Sequence, residues 1–132
     1  MSKGDSGLFK GTNSTTAYVW NSITATQPTY EGTAIPKSFV MKTESGTFWV
    51  HGNATEHMAD YVQKKLKDGA SLDSVRLDSQ IILADMHESL SAVTKNSVQY
   101  NKLLSHGNWE FVIKKPKSAD KYDAVIHAMY KK

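Results

Sequence analysis

Of the five histidines in this chain, two occupy positions where an imidazole could move protons. His57 falls in the first turn of the helix predicted by WVHGNATEHMADY, with Thr55 just before it and Tyr61 one turn later on the same face. A helix start presents unpaired N–H groups and a partial positive charge, and both favour a phosphate nearby. A histidine, a threonine hydroxyl and such a helix end would together suit the splitting of a phosphodiester. His127 interrupts an apolar strand, YDAVIHAMY. Alternation there puts Asp123, Val125, His127 and Met129 on one face, and Tyr122, Ala124, Ile126, Ala128 and Tyr130 on the other. In NWEFVIK the same rule sets Trp109, Phe111 and Ile113 against Asn108, Glu110, Val112 and Lys114. If the two mixed faces coincide, Glu110, Lys114, Asp123 and His127 gather on one surface of the sheet. That outcome depends on strand register, which is not local information.

Other chemistry is excluded. A chain without cysteine has no disulfide, no thiolate zinc site, no cysteine nucleophile and none of the ligands of the zinc deaminases. His51, Glu56 and His57 offer nitrogen and oxygen atoms. Their spacing, however, is not that of a metalloprotease helix, which sets two histidines four apart with a glutamate after the first. No metal and no cofactor is expected. There is no Gly-x-Ser-x-Gly elbow, no Walker loop and no dinucleotide glycine fingerprint. The hydroxyl-rich GTNSTT at 11–16 could meet phosphate oxygens, but clusters of this kind are usually only flexible.

A metal-free pair of proton carriers suits one reaction well. RNA carries its own nucleophile, the 2′-hydroxyl. Its cleavage needs a base for that hydroxyl, an acid for the departing 5′-oxygen, and cations or N–H donors for the charge that builds on phosphorus. DNA lacks the hydroxyl, so such a site would prefer RNA.

These side chains need elements to hold them. IPKSFVMKTESGTFWVHG predicts a hairpin: Phe39 and Met41 alternate with Ser38, Val40 and Lys42, ESG turns, and Thr47 to His51 returns. On the return strand Phe48 and Val50 share one face, Trp49 and His51 the other. Asn53 is the expected cap of the following helix, with Glu56 as its capping-box partner. Ala54, Met58, Val62 and Leu66 form its core ridge, and Gly69 ends it. A second helix runs from Leu72 or Asp78 to Thr94, with Ile82, Met86, Leu90 and Val93 buried. Two strands then flank the turn-like KPKSAD. Two helices inserted between two hairpins make an α+β fold with a small antiparallel sheet of about four strands. Residues 1–34, rich in Ser, Thr, Gly and Asn, read as a polar, partly ordered lead-in with at most one short helix near Thr15 to Ser22, part of which its aromatics Phe9, Tyr18, Trp20 and Tyr30 would pack on the body; residues 35–132 form the domain proper.

The 132 residues allow one domain with a single core, and 39% hydrophobic with 22% charged residues describe a globular chain. No apolar run approaches the roughly 20 residues that cross a bilayer, and MSKGDSGLFKGTNSTT lacks the apolar core of a secretory signal, so no export address of the chain's own is expected. A net charge of +3 weakly favours an anionic partner. Much of it lies in Lys114, Lys115, Lys117, Lys121, Lys131 and Lys132, which make either a phosphate-facing patch or a solvated tail.

IPKSFVMKTESGTFWVHGNATEHMADY, followed after two helices by NWEFVIKKP and YDAVIHAMY, resembles the C-terminal toxin domains of bacterial polymorphic and contact-dependent growth inhibition systems. The closest group is the small RNase toxins with the barnase/EndoU/colicin/RelE-like fold, and the likeness spans about residues 35–130. It implies a nuclease acting on tRNA, carried at the C-terminal end of a larger secreted or surface protein into the cytoplasm of a target bacterium. It also implies a dedicated immunity protein covering the active site, so that the domain is a monomer or a heterodimer with that protein.

On this reading His57 and His127 are the general acid and base in an order left open, and Glu110 orients or deprotonates. Thr55 and one of Lys114, Lys115 or Lys117 hold the phosphate, and Trp49 or Tyr61 stacks a base. His51 reads as a neighbour. Two other functions fit the same residues: a non-catalytic module gripping RNA or a protein through the basic C-terminal hairpin, and a metal-dependent DNase toxin.

Overall fold

Two hydrophobic periods run through the chain, one of two residues and one near 3.6. The computed structural model, which describes residues 21–116 and 122–131, shows what each builds. In chain order the elements are β1 (Ile23–Ala25), β2 (Ser38–Lys42), β3 (Thr47–His51), α1 (Asn53–Lys67), α2 (Leu72–Val93), β4 (Leu104–His106), β5 (Trp109–Lys114) and β6 (Asp123–Tyr130). The strands form one sheet in the order β1-β2-β3-β6-β5-β4. The fold is α+β, as expected, but the sheet has six strands and is mixed.

Two differences from the expected four-stranded antiparallel sheet have physical causes. The added strands, β1 and β4, are three residues each and close the two edges. Segments so short show no alternation of their own and exist because a longer neighbour pairs with them. β6 lies parallel to β3 rather than antiparallel to every neighbour. A parallel neighbour needs a crossover in place of a tight turn; α1, α2 and the irregular stretch 94–103 carry the chain to β4 at the far edge, and β5 leads it back to β6.

The apolar positions go where their periods send them. Phe39, Met41, Phe48 and Val50 of the first hairpin, with Trp109, Phe111 and Ile113 of β5, form the inner face of the sheet and are fully buried. Ala54, Met58 and Val62 of α1 and Val75, Leu83, Met86 and Leu90 of α2 pack on that face. α1 departs from expectation at its start. Its cap residue is Gly52, with φ 61 and no side-chain cap bond, and Asn53 is already helical. Its end is as expected: Gly69, at φ 104, follows the Asp68 cap, and the bonds Gly69 N–H to Leu66 O and Ala70 N–H to Lys65 O close a Schellman turn. Ser71 then caps α2 by accepting from the Ser74 N–H at 3.1 Å.

The described part of the lead-in is held against the domain. Besides β1, Tyr30 and Ile35 are joined by a backbone bond of 2.9 Å, and Ala34 donates to Ser79 Oγ of α2 at 3.2 Å. Gly32 combines φ 78 with a close approach: a Cβ there would come within 2.9 Å of Leu66 Cδ2. The GTNSTT loop and nearly all of the short helix expected near Thr15 to Ser22 fall outside the described residues.

Candidate active site

The site grows out of the β5–β6 pair. Trp109, Phe111 and Ile113 take the inner face of β5, which leaves Glu110, Val112 and Lys114 on the outer one. In β6 the register runs Met129 opposite Glu110 and His127 opposite Val112, so Glu110 and His127 share the outer face on adjacent strands. His127 Nε2 stands 3.5 Å from Glu110 Oε1, and Lys131 Nζ stands 3.1 Å from Oε2. Each carboxylate oxygen therefore has its own nitrogen partner.

α1 completes the group. β3 pairs with β6 only as far as Val125, and β6 continues to Tyr130. The helix that starts at the end of β3 thus lies beside the uncovered half of β6. His57 meets the His127 ring edge-on, with 5.7 Å between centroids and 75° between planes, and one turn on Tyr61 meets Tyr130 in the same way at 5.3 Å. His57, His127 and Glu110, chosen from separate parts of the sequence, come together here.

Other expected members go elsewhere. Between Val112 and Ile113 the register shifts, because β6 carries one extra residue, Ile126. Past that bulge the alternation changes phase, so that Val125 and Ala128 are both buried. Asp123 then falls in register with the inward-facing Phe48, on the face opposite His127. Its two oxygens accept from the Tyr100 hydroxyl at 3.1 Å each. Burial, and then that carboxylate, push the Tyr100 hydroxyl above its ordinary range. Lys115 sits over the Tyr100 ring, 5.4 Å from its centroid, as part of this second cluster.

Thr55 is fully buried. Its hydroxyl donates to Lys37 O at 2.7 Å and lies 2.8 Å from the Tyr30 hydroxyl and 3.1 Å from Gly52 O. Those bonds occupy it, and the geometry makes it a post that fixes the helix start beside His57. Lys114 is exposed on the outer face. Lys117 lies outside the described residues. Trp49 and His51, on one face of β3 as expected, stack with centroids 3.8 Å apart and planes 19° apart. Among the described residues no group of three or more His, Cys, Asp or Glu side chains is arranged to hold a metal ion, and no helix is long and apolar enough to cross a membrane.

Lys131 was missed because it reads as part of a lysine tail. The signal was present: 127, 129 and 131 are the same-face positions of one strand. Its ammonium, bonded to the carboxylate, holds the Glu110 carboxyl below the usual range, with partial burial acting the other way and His127 adding to the lowering. Glu110 is therefore an anion at neutral pH, able to orient or accept a proton but not to donate one.

The sign of the resulting pH effect follows. A carboxyl whose folded-state pKa is lowered contributes stability that is complete above its unfolded value of about 4.3 and is lost as pH falls through the lowered one. Glu110→Gln removes that contribution. The gap in urea midpoint between wild type and Glu110→Gln is expected to be widest above about pH 5 and to narrow as pH falls through the lowered folded-state value. A gap that stays constant from pH 7 to pH 3 would show that the Lys131 and His127 contacts do not act on this carboxyl.

No protein-family model matches this chain, and no curated protein matches it.

Proposed function

We propose that the chain is a ribonuclease that cleaves RNA by attack of the 2′-hydroxyl on the adjacent phosphorus. The observation that carries this reading is the meeting of His57, His127 and Glu110, two proton carriers and an anion, with Lys131 bound to that anion. Glu110 facing Nε2 favours a proton on that nitrogen and leaves the lone pair on Nδ1, a tautomer set by its partner. His127 is then the base: it takes the 2′-OH proton, and the carboxylate stabilises the imidazolium that forms, as a carboxylate does for histidine in hydrolytic triads. His57, protonated, gives a proton to the 5′-oxygen as the P–O bond breaks. The new 2′-O–P bond closes a 2′,3′-cyclic phosphate, and the two histidines exchange protonation states. Lys114, exposed on the same face of the sheet, draws the RNA backbone toward the site by its charge.

The biological setting follows from the resemblance of residues 35–130 to polymorphic toxin domains. On that reading the RNA is a tRNA and the partner a dedicated immunity protein. The domain is delivered by a larger secreted or surface protein and acts in the cytoplasm of the target cell.

The test is a denaturing gel of total cellular RNA incubated with the protein in EDTA. Fragmentation by the wild type, with intact RNA beside His57→Ala, is the expected result. Intact RNA in the wild-type lane would overturn the reading. Cleavage that requires added magnesium, or that falls on plasmid DNA instead, would turn it toward a metal-dependent DNase.

A further inference from the structure

The outer face of the sheet carries a row of side chains that the proton-transfer chemistry does not use. Val40, Trp49, Ala124 and Lys114 stand in register across β2, β3, β6 and β5. Ala124 is the small member, and Trp49 and the exposed Lys114 stand on either side of it, two strand spacings of about 4.8 Å each apart. Trp49 is only partly buried, and so is His51, whose ring is stacked on it. Phe48 and Val50 of the same strand fill the inner face, so this pair lies on the outer one. Two flat rings held nearly parallel at the surface, with a cation two strands away, are the components by which proteins hold single-stranded nucleic acid.

The position of the row matters as much as its content. Along β5, Lys114 and Val112 are two residues apart, a step of about 6.7 Å, and Val112 is the register partner of His127. That step is comparable to the distance from one phosphate to the next along an extended strand. A nucleotide lying on the Trp49 row would therefore bring its neighbour's phosphate to the His57–His127 pair.

We propose that Trp49 and His51 form a stacking subsite for one unpaired base beside the scissile phosphate, with Lys114 holding that nucleotide's own phosphate. The proposal rests on the ribonuclease reading and narrows it, making the substrate single-stranded RNA or an unpaired loop. Bases inside a duplex have their faces covered by neighbours and cannot stack on the pair. The contact is to a ring face, so it selects for an unpaired base without selecting which base.

The test separates binding from cleavage by using a short fluorescein-labelled single strand with 2′-O-methyl groups, which lacks the nucleophile. Fluorescence anisotropy is expected to show binding by the wild type, and binding weaker by about tenfold to a hundredfold for Trp49→Ala. Trp49→Phe should retain most of the affinity, and circular dichroism verifies that both variants fold. Lys114→Ala should weaken binding and flatten its dependence on salt. The same sequence annealed into a duplex should bind much less tightly than the single strand. Trp49→Ala binding and cleaving like the wild type would overturn the proposal and leave the ribonuclease reading in place. Equal affinity for duplex and single strand would do the same. A wild type that neither binds the strand nor cuts RNA would overturn both.

Discussion

Alanine at His57 or at His127 is expected to slow RNA cleavage by about 10²- to 10⁴-fold, the usual contribution of a positioned acid or base. The two losses should not multiply. On the proposed mechanism base and acid act in one transfer, so once either is gone the other has little left to do, and the double variant should be only modestly slower than the worse single one. Glu110→Gln should cost less than either histidine, because it removes the group that orients His127 and leaves the imidazole in place. Neither histidine belongs to the buried core. Both are half-buried and His127 pairs with Glu110, so the variants should lose about 1 kcal/mol of stability and remain folded. Single-turnover rates on a tRNA substrate, with urea midpoints alongside, check both halves. Single variants that cleave within a few-fold of the wild type would remove the His57–His127 pair from the mechanism, whatever else the protein does.

The largest effect on stability is expected at Trp109. Its side chain is fully buried, lies parallel to Phe111 with 5.6 Å between centroids, and donates from Nε1 to Asp85 of α2 at 2.9 Å. It thus ties the second helix to the strand that carries Glu110. Truncating a buried tryptophan to alanine costs about 3–5 kcal/mol, a large part of the 5–15 kcal/mol that holds a domain together. Trp109→Phe keeps most of the volume and loses the hydrogen bond, for about 1 kcal/mol. Urea denaturation should rank wild type, Trp109→Phe and Trp109→Ala in that order. Trp109→Ala within 1 kcal/mol of the wild type would mean that the core collapses around the deletion. Activity per folded molecule should suffer too, since Glu110 is the next residue along the strand.

What could be read in advance divides along physical lines. The hairpin of β2 and β3, both helices, the faces of β3 and the Schellman end of α1 were legible, because each is written in local spacing. The edge strands were not, since three residues carry no period. The parallel β3–β6 pairing was not, because strand order follows from how the whole chain closes. At the site, the pairing of Glu110 with His127 was visible as a possibility in the alternation of two strands, and it holds. The place of Asp123 was misread for one reason: the extra residue at Ile126 leaves no mark in a pattern of hydrophobic and polar residues, yet it reverses every position before it. Thr55 shows a different limit. A threonine at a helix start has the same sequence signature whether its hydroxyl meets a phosphate or, as here, Lys37 O and Tyr30. The meeting of His57 with His127 needed both the sheet order and the early end of β3.

The position of β6 also bears on when the cluster of His57, His127 and Glu110 can form. It is the last strand described, yet it lies between β3 and β5 and joins two halves that otherwise share no strand pairing. His57 belongs to one side of that join, while Glu110, His127 and Lys131 arrive with the other. A chain emerging from a ribosome, or threading through a narrow passage and refolding beyond it, can form its first hairpin and its helices early. It cannot assemble the cluster until its final strand inserts between its neighbours. Long-range closures of this kind come late because the chain must first surrender loop entropy. The same topology that brings these side chains together thus makes their meeting one of the last events of folding.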